Sequence, residues 1–125
     1  MAARRLLSDT RMRRTERLPF ELYVTWHREG REIVCRAVDL NAHGMFVRTD
    51  EPIAPDSELQ LAVQLPDRVL ELIVAARFVG TTARGRGVGV ERLVFDELAD
   101  RHWLAFYEAL YAEQARQRRS AAMGA

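Results

Sequence analysis

Apolar positions along the chain recur every second residue up to about position 95 and every third or fourth residue after it, which predicts strands followed by a helix. Residues 20–26 (FELYVTW) and 31–40 (REIVCRAVDL) are rich in β-branched and aromatic side chains. The HREG between them contains Gly30, so the pair predicts a hairpin. Residues 44–49 (GMFVRT) predict a third strand. DEPIAPDSE follows, and its Pro52 and Pro55 predict an irregular crossing loop. Residues 59–65 (LQLAVQL) alternate weakly. Residues 69–80 alternate through Leu70, Leu72, Val74, Ala76 and Phe78, which places those five on one face, and PDR makes the turn between the two strands. A sixth strand is expected over 87–95 (GVGVERLVF), reached through a loop TTARGR. Six short strands at this turn spacing predict a small barrel or sandwich.

Beyond the strands, Asp96 stands where a helix N-cap is expected, with Glu97 and Asp100 in the first turn and Arg116, Arg118 and Arg119 toward the end. Ala99, Trp103, Phe106 and Leu110, with Tyr107 and Tyr111 one position off, form one apolar stripe. The predicted helix covers about 97–118 and closes the open end of the barrel. Residues 119–125 are expected to be a disordered tail. At the other end, residues 1–16 hold Leu6, Leu7 and Met12 as their larger apolar side chains, a composition expected of a flexible basic arm over 1–12. The folded unit is then 13–115, with its barrel at about 18–95.

A chain of 125 residues with 48% hydrophobic content suits one domain and leaves no room for a second. The net charge of +1 is too balanced for a protein that coats nucleic acid, but it is unevenly spread. The first 17 residues carry six arginines against two carboxylates. All 19 basic residues are arginine, so every basic position offers a planar fork that can grip phosphate or guanine through two bonds. Cys35 is the single cysteine. It permits no internal disulfide, is expected to pack within its strand, and suggests a reducing, cytoplasmic setting. No apolar run approaches the roughly 20 residues of a membrane span, and MAARRLLSDT lacks the core of a secretory signal. His27, His43 and His102 are too scattered to suggest a metal. No nucleophile elbow or phosphate-binding glycine loop argues for an enzyme.

Two stretches carry candidate chemistry. RRTER places Arg13, Arg14 and Arg17 against the start of the first strand, and DLNAHG places Asp39, Asn41, His43 and Gly44 between the second and third strands. The Asp39 carboxylate could accept the paired N1 and N2 hydrogens of a guanine. Asn41 could donate and accept, and Gly44 would permit a positive backbone dihedral or the close approach of a ligand. Taken alone, DLNAHG also fits an ordinary Asx-type turn.

Together these stretches resemble the PilZ domain family, bacterial receptors for cyclic di-GMP. The family has two arginines separated by three residues before its first strand, matched here by Arg13 and Arg17 with Arg14 as an extra basic neighbour. Its second motif is Asp or Asn, any residue, Ser, any two residues, then Gly. Asp39 and Gly44 match, and Asn41 stands where the family has serine. GVGVERL looks like the family's glycine-rich approach to its last strand, which brings in Gly87 and Gly89. The resemblance covers about residues 12–112 and implies a six-stranded antiparallel β-barrel with a C-terminal helix. It also implies cyclic di-GMP as ligand, held by Arg13, Arg14, Arg17, Asp39, Asn41 and Gly44. His43 could stack on a base or face water as an ordinary turn residue. No further cofactor is implied. The arm would change conformation on binding and signal to an unidentified protein partner in motility or polysaccharide regulation. Two other readings stay open. The departure at Asn41 fits a PilZ-like module that binds proteins and no nucleotide. The basic arm fits a small-barrel nucleic-acid binder, although the chain lacks the clustered aromatic strand face such barrels use. Nucleic acid and membrane insertion are therefore not expected.

Overall fold

The computed structural model describes residues 17–93 and 97–124. Six strands, β1 (Leu18–Arg28), β2 (Arg31–Leu40), β3 (Gly44–Arg48), β4 (Glu58–Gln64), β5 (Val69–Thr82) and β6 (Gly85–Arg92), precede one helix, α1 (Glu97–Gly124). The strands pair antiparallel in the order β1-β2-β3-β6-β5-β4, and β1 closes on β4 to leave no free sheet edge. The expected barrel and helix are therefore present.

Alternation explains why the barrel fills. Leu22, Val24 and Trp26 of β1, Leu59, Leu61 and Val63 of β4, and Leu70, Leu72 and Val74 of β5 point inward and are buried. The β1–β2 turn is tight, with Glu29 at φ 49° and Gly30 at φ 75°, the pair of left-handed residues that suits a two-residue hairpin.

Three departures from the sequence pattern have local causes. Phe78, expected to continue the inward row of β5, is 49% exposed. A register shift between Ala76 and Phe78 inserts an extra residue, and the alternation breaks there, with Ala75 and Ala76 both buried and Arg77, Phe78 and Val79 all exposed. The expected TTARGR loop is a short turn. β5 runs on to Thr82 and β6 begins at Gly85, whose φ of 112° is open to glycine alone. The helix continues past the expected end near 118 to Gly124, because nothing from Gln117 to Ala122 interrupts it. Its arginines consequently lie short of the last turn. The expected N-cap Asp96 and strand residues 94 and 95 lie outside the described residues.

α1 packs through Trp103 and Tyr107, both fully buried, and Leu110, with Ala99, Leu104, Phe106 and Tyr111 partly buried around them. The Phe20 and Phe106 rings meet edge to face at 5.8 Å. Gln114 Nε2 donates to the Pro19 carbonyl at 2.9 Å. After Ala115, residues 116–122 are exposed. The helix thus covers the barrel end where β1 begins and β2 ends. Trp103→Ala should lower stability by about 3–5 kcal/mol in urea denaturation. An unchanged transition would show that α1 is dispensable to the core.

Candidate functional site

Leu18 pairs with Leu40 in the β1–β2 register, which brings the residue before β1 alongside the end of β2. Arg17 Nη1 donates to Asp39 Oδ1 at 2.6 Å. The arginine side chain is 52% exposed and the aspartate side chain 11%, so one partner is held in the wall and the other reaches it from solvent. A half-exposed pair of this kind contributes about 1 kcal/mol or less, which is weak enough to be exchanged. No other described residue donates to the Asp39 carboxylate. Arg13 and Arg14 lie outside the described residues.

The loop that follows is held by its own asparagine. Asn41 Oδ1 accepts the backbone N–H of His43 at 2.8 Å and of Gly44 at 2.9 Å, while Asn41 N–H donates to the Gly44 carbonyl at 2.9 Å. This is an Asx-type turn, so the side-chain oxygen of Asn41 shapes the loop. Trp103 Nε1 donates to the Asn41 carbonyl at 3.1 Å and ties the loop to α1.

Arg92 supplies a second tie that the sequence reading missed. Its Nη2 donates to the Ala42 carbonyl at 2.6 Å, its Nη1 pairs with Asp100 of α1, and its backbone N–H donates to the His43 carbonyl at 2.7 Å. Arg92 is 6% exposed. Burial pushes its guanidinium down to about 10, partly countered by Glu91, so it remains charged at neutral pH. A signal was available, since Val88, Val90 and Arg92 alternate and place an arginine on the inner row of β6.

The glycines play different parts. Gly44 could serve a positive dihedral or a close approach. Among the described residues the positive-φ glycines are Gly30 and Gly85, and what Gly44 provides is clearance. A Cβ there would collide with the Val90 carbonyl of β6, and one at Gly87 with the Val47 carbonyl of β3. A Cβ at Gly89 would meet only the Phe78 side chain, at an ordinary 3.6 Å. Gly44 stands opposite Glu91 and Gly87 opposite Arg48, so Gly87 lies four ladder steps, about 13 Å, from the loop. His43 is half-buried beside the loop. Cys35 is buried, and burial pushes its thiol up despite a hydrogen bond from Thr49, which leaves it an unreactive packing residue.

Next to Asp39 a groove of about 490 Å³ opens on the outside of the barrel, lined by Pro19, Phe20, Glu21, Val38, Arg48, Ala83 and Arg84. The corner therefore combines a carboxylate acceptor, a guanidinium at its edge and a groove with two further guanidinium groups. That combination suits a ligand with paired N–H donors and anionic groups.

A family model described as the PilZ domain matches residues 12–109. Among solved structures, the chain is similar to that of the Bacillus subtilis inhibitor of motility (MotI/DgrA). The TM-score is 0.66 at 20% identity, over 79% of this chain and 50% of that one. It is also similar to the PilZ domain with c-di-GMP of YcgR from Escherichia coli, with a TM-score of 0.64 at 13% identity, over 85% of this chain and 95% of that one. The chain spans half the length of the first of these structures and nearly all of the second. Identities this low establish a shared fold. No curated protein matches the chain.

Removing the Asp100 carboxylate would leave the Arg92 guanidinium buried beside a neutral neighbour. Asp100→Ala should therefore destabilise the protein by about 3–5 kcal/mol in chemical denaturation. Asp100→Asn, which keeps an acceptor, should cost less. Equal stability of wild type and both variants would remove the buried pair from the account.

Proposed function

Because this chain belongs to the PilZ domain family, whose model matches residues 12–109, we propose that it is a receptor for cyclic di-GMP that signals through its arginine-bearing N-terminal segment. The observation that carries this reading is the Arg17–Asp39 contact at 2.6 Å, which joins one residue from each family motif at a single corner. The two side chains satisfy each other. A guanine offers Asp39 two N–H donors in place of one guanidinium N–H, and its phosphates and Hoogsteen edge offer Arg17 new acceptors. Ligand therefore exchanges one internal contact for several external ones, and the segment that Arg17 ends acquires a new anchor. Arg13 and Arg14, upstream, would complete the grip on phosphate and stack on a base.

Magnitudes support the exchange. Three charge-assisted contacts at about 1.5–3 kcal/mol each supply roughly 5–9 kcal/mol. Micromolar affinity corresponds to about 8 kcal/mol. Ordering each residue of the arm opposes this by about 1–2 kcal/mol, so few contacts can be lost. Asn41 contributes chiefly by fixing the loop, since its oxygen already accepts two backbone N–H groups, and its amide nitrogen remains as a donor toward the ligand. That commitment is also the observation favouring the second reading, a PilZ-like module that acts through protein contacts alone.

Calorimetric titration with cyclic di-GMP separates the two readings. The receptor reading expects micromolar or tighter binding that Arg17→Ala weakens by at least about tenfold, the loss of one charge-assisted contact. Asn41→Ser should bind modestly tighter by restoring the family residue. Absence of heat at millimolar ligand would discard the receptor reading in favour of the interaction module.

A further inference from the structure

Arginines in or beside the strands fall into two groups. Arg28, Arg31, Arg36, Arg68 and Arg77 each have a carboxylate no farther than 3.8 Å away, and Arg17 and Arg92 have Asp39 and Asp100. Arg48, Arg84 and Arg86 have no ion pair among the described residues. These three converge on one place although they come from two separate strands and the turn between β5 and β6. Two adjoining grooves, of about 480 and 490 Å³, share Arg48, Ala83 and Arg84 in their walls. The first continues to Arg86 and the second to Pro19 and Val38, next to Asp39. The acidic wall residues are Asp50 in the first groove and Glu21 in the second, and Glu21 is already engaged by Arg36 at 3.7 Å.

The basic tip is also held in place. Thr82 Oγ1 accepts the Arg84 N–H at 3.0 Å and donates to the Gly85 carbonyl at 3.3 Å, while Thr49 N–H donates to the Arg86 carbonyl at 3.1 Å. A Cβ at Gly85 would stand 3.7 Å from Arg48 Nε, so the Arg48 side chain lies along the turn at the glycine. Three guanidinium groups stand against the one carboxylate of Asp50 in the wall of the first groove, and an arriving anion relieves the repulsion of the excess positive charge.

We propose that Arg48 and Arg84, with Arg86 behind them, form a second anion grip of the same site and take the phosphodiester of the dinucleotide that lies farther from Arg17. This rests on the cyclic di-GMP reading above and extends it. A guanine seated at Asp39 directs the rest of the ligand along the groove past Val38, and the groove ends at the two guanidinium groups. Arg17 and the β5–β6 turn then hold the dianion from opposite ends.

The test is titration of the full chain with cyclic di-GMP, comparing wild type with Arg48→Ala, Arg84→Ala and the double variant, and with Arg118→Ala on the exposed end of α1 as control. Each single variant should weaken binding about tenfold, the double variant more, and the dependence on salt should become shallower. Melting temperatures should stay unchanged because both side chains are exposed. Wild-type binding with unaltered affinity in the double variant would overturn this inference alone. Absence of wild-type binding would overturn both it and the receptor reading.

Discussion

A guanidinium removed from water must be answered by acceptors, and the one at Arg92 organises this protein. Moving an ion of that size out of water costs several kcal/mol even after relaxation. Its two acceptors come from different segments, the Ala42 carbonyl in the β2–β3 loop and the Asp100 carboxylate in α1. The strand, loop and helix must therefore assemble together or leave a charge stranded. Trp103 repeats the connection one carbonyl earlier, at Asn41. Asp39 sits immediately before this loop, so the position of the candidate acceptor follows from how the loop is tied. Gly44 completes the arrangement by letting the start of β3 lie against the Val90 carbonyl.

Much of this could be read from the sequence because it is local. Period-two alternation located six strands, the stripe from Ala99 to Tyr111 located the helix, and Arg17 and DLNAHG lie in the two segments that the β1–β2 register brings together. What escaped depends on pairing between distant segments. The bulge before Phe78 is a property of the β5–β6 register, and no local residue announces it. Asn41 fits both a ligand contact and a turn by sequence, and the two backbone N–H groups its oxygen accepts are set by the folded loop. Arg92 is legible as an inward arginine, but its Ala42 acceptor lies 50 residues away in the chain. The basic groove was illegible for a similar reason, since Arg48 and Arg84 meet only through the β3–β6 and β5–β6 ladders.

The two ends of the candidate site differ in character. At the Asp39 end, charge is matched internally, polar groups are shared with the backbone, and the carboxylate is nearly buried. At the Arg84 end, three guanidinium groups outnumber the one carboxylate of Asp50 and are open to solvent, although the backbone is hydrogen-bonded in place. The first end offers directional recognition. The second offers long-range attraction, which salt weakens and which speeds encounter with an anion.

α1 is about 42 Å long at 1.5 Å per residue, and its last described tie to the barrel is the bond from Gln114 to Pro19. Roughly 15 Å of helix extends beyond that point, and residues 116–122 along it are exposed. The ties at Asp100, Trp103 and Gln114 are spread over about 21 Å of the helix and grip it at separate points along its length, as a clamp does. Held at several points, the helix carries Arg118 and Arg119 past the barrel as a rigid rod, so the distance of their charges from the barrel is set by helix geometry.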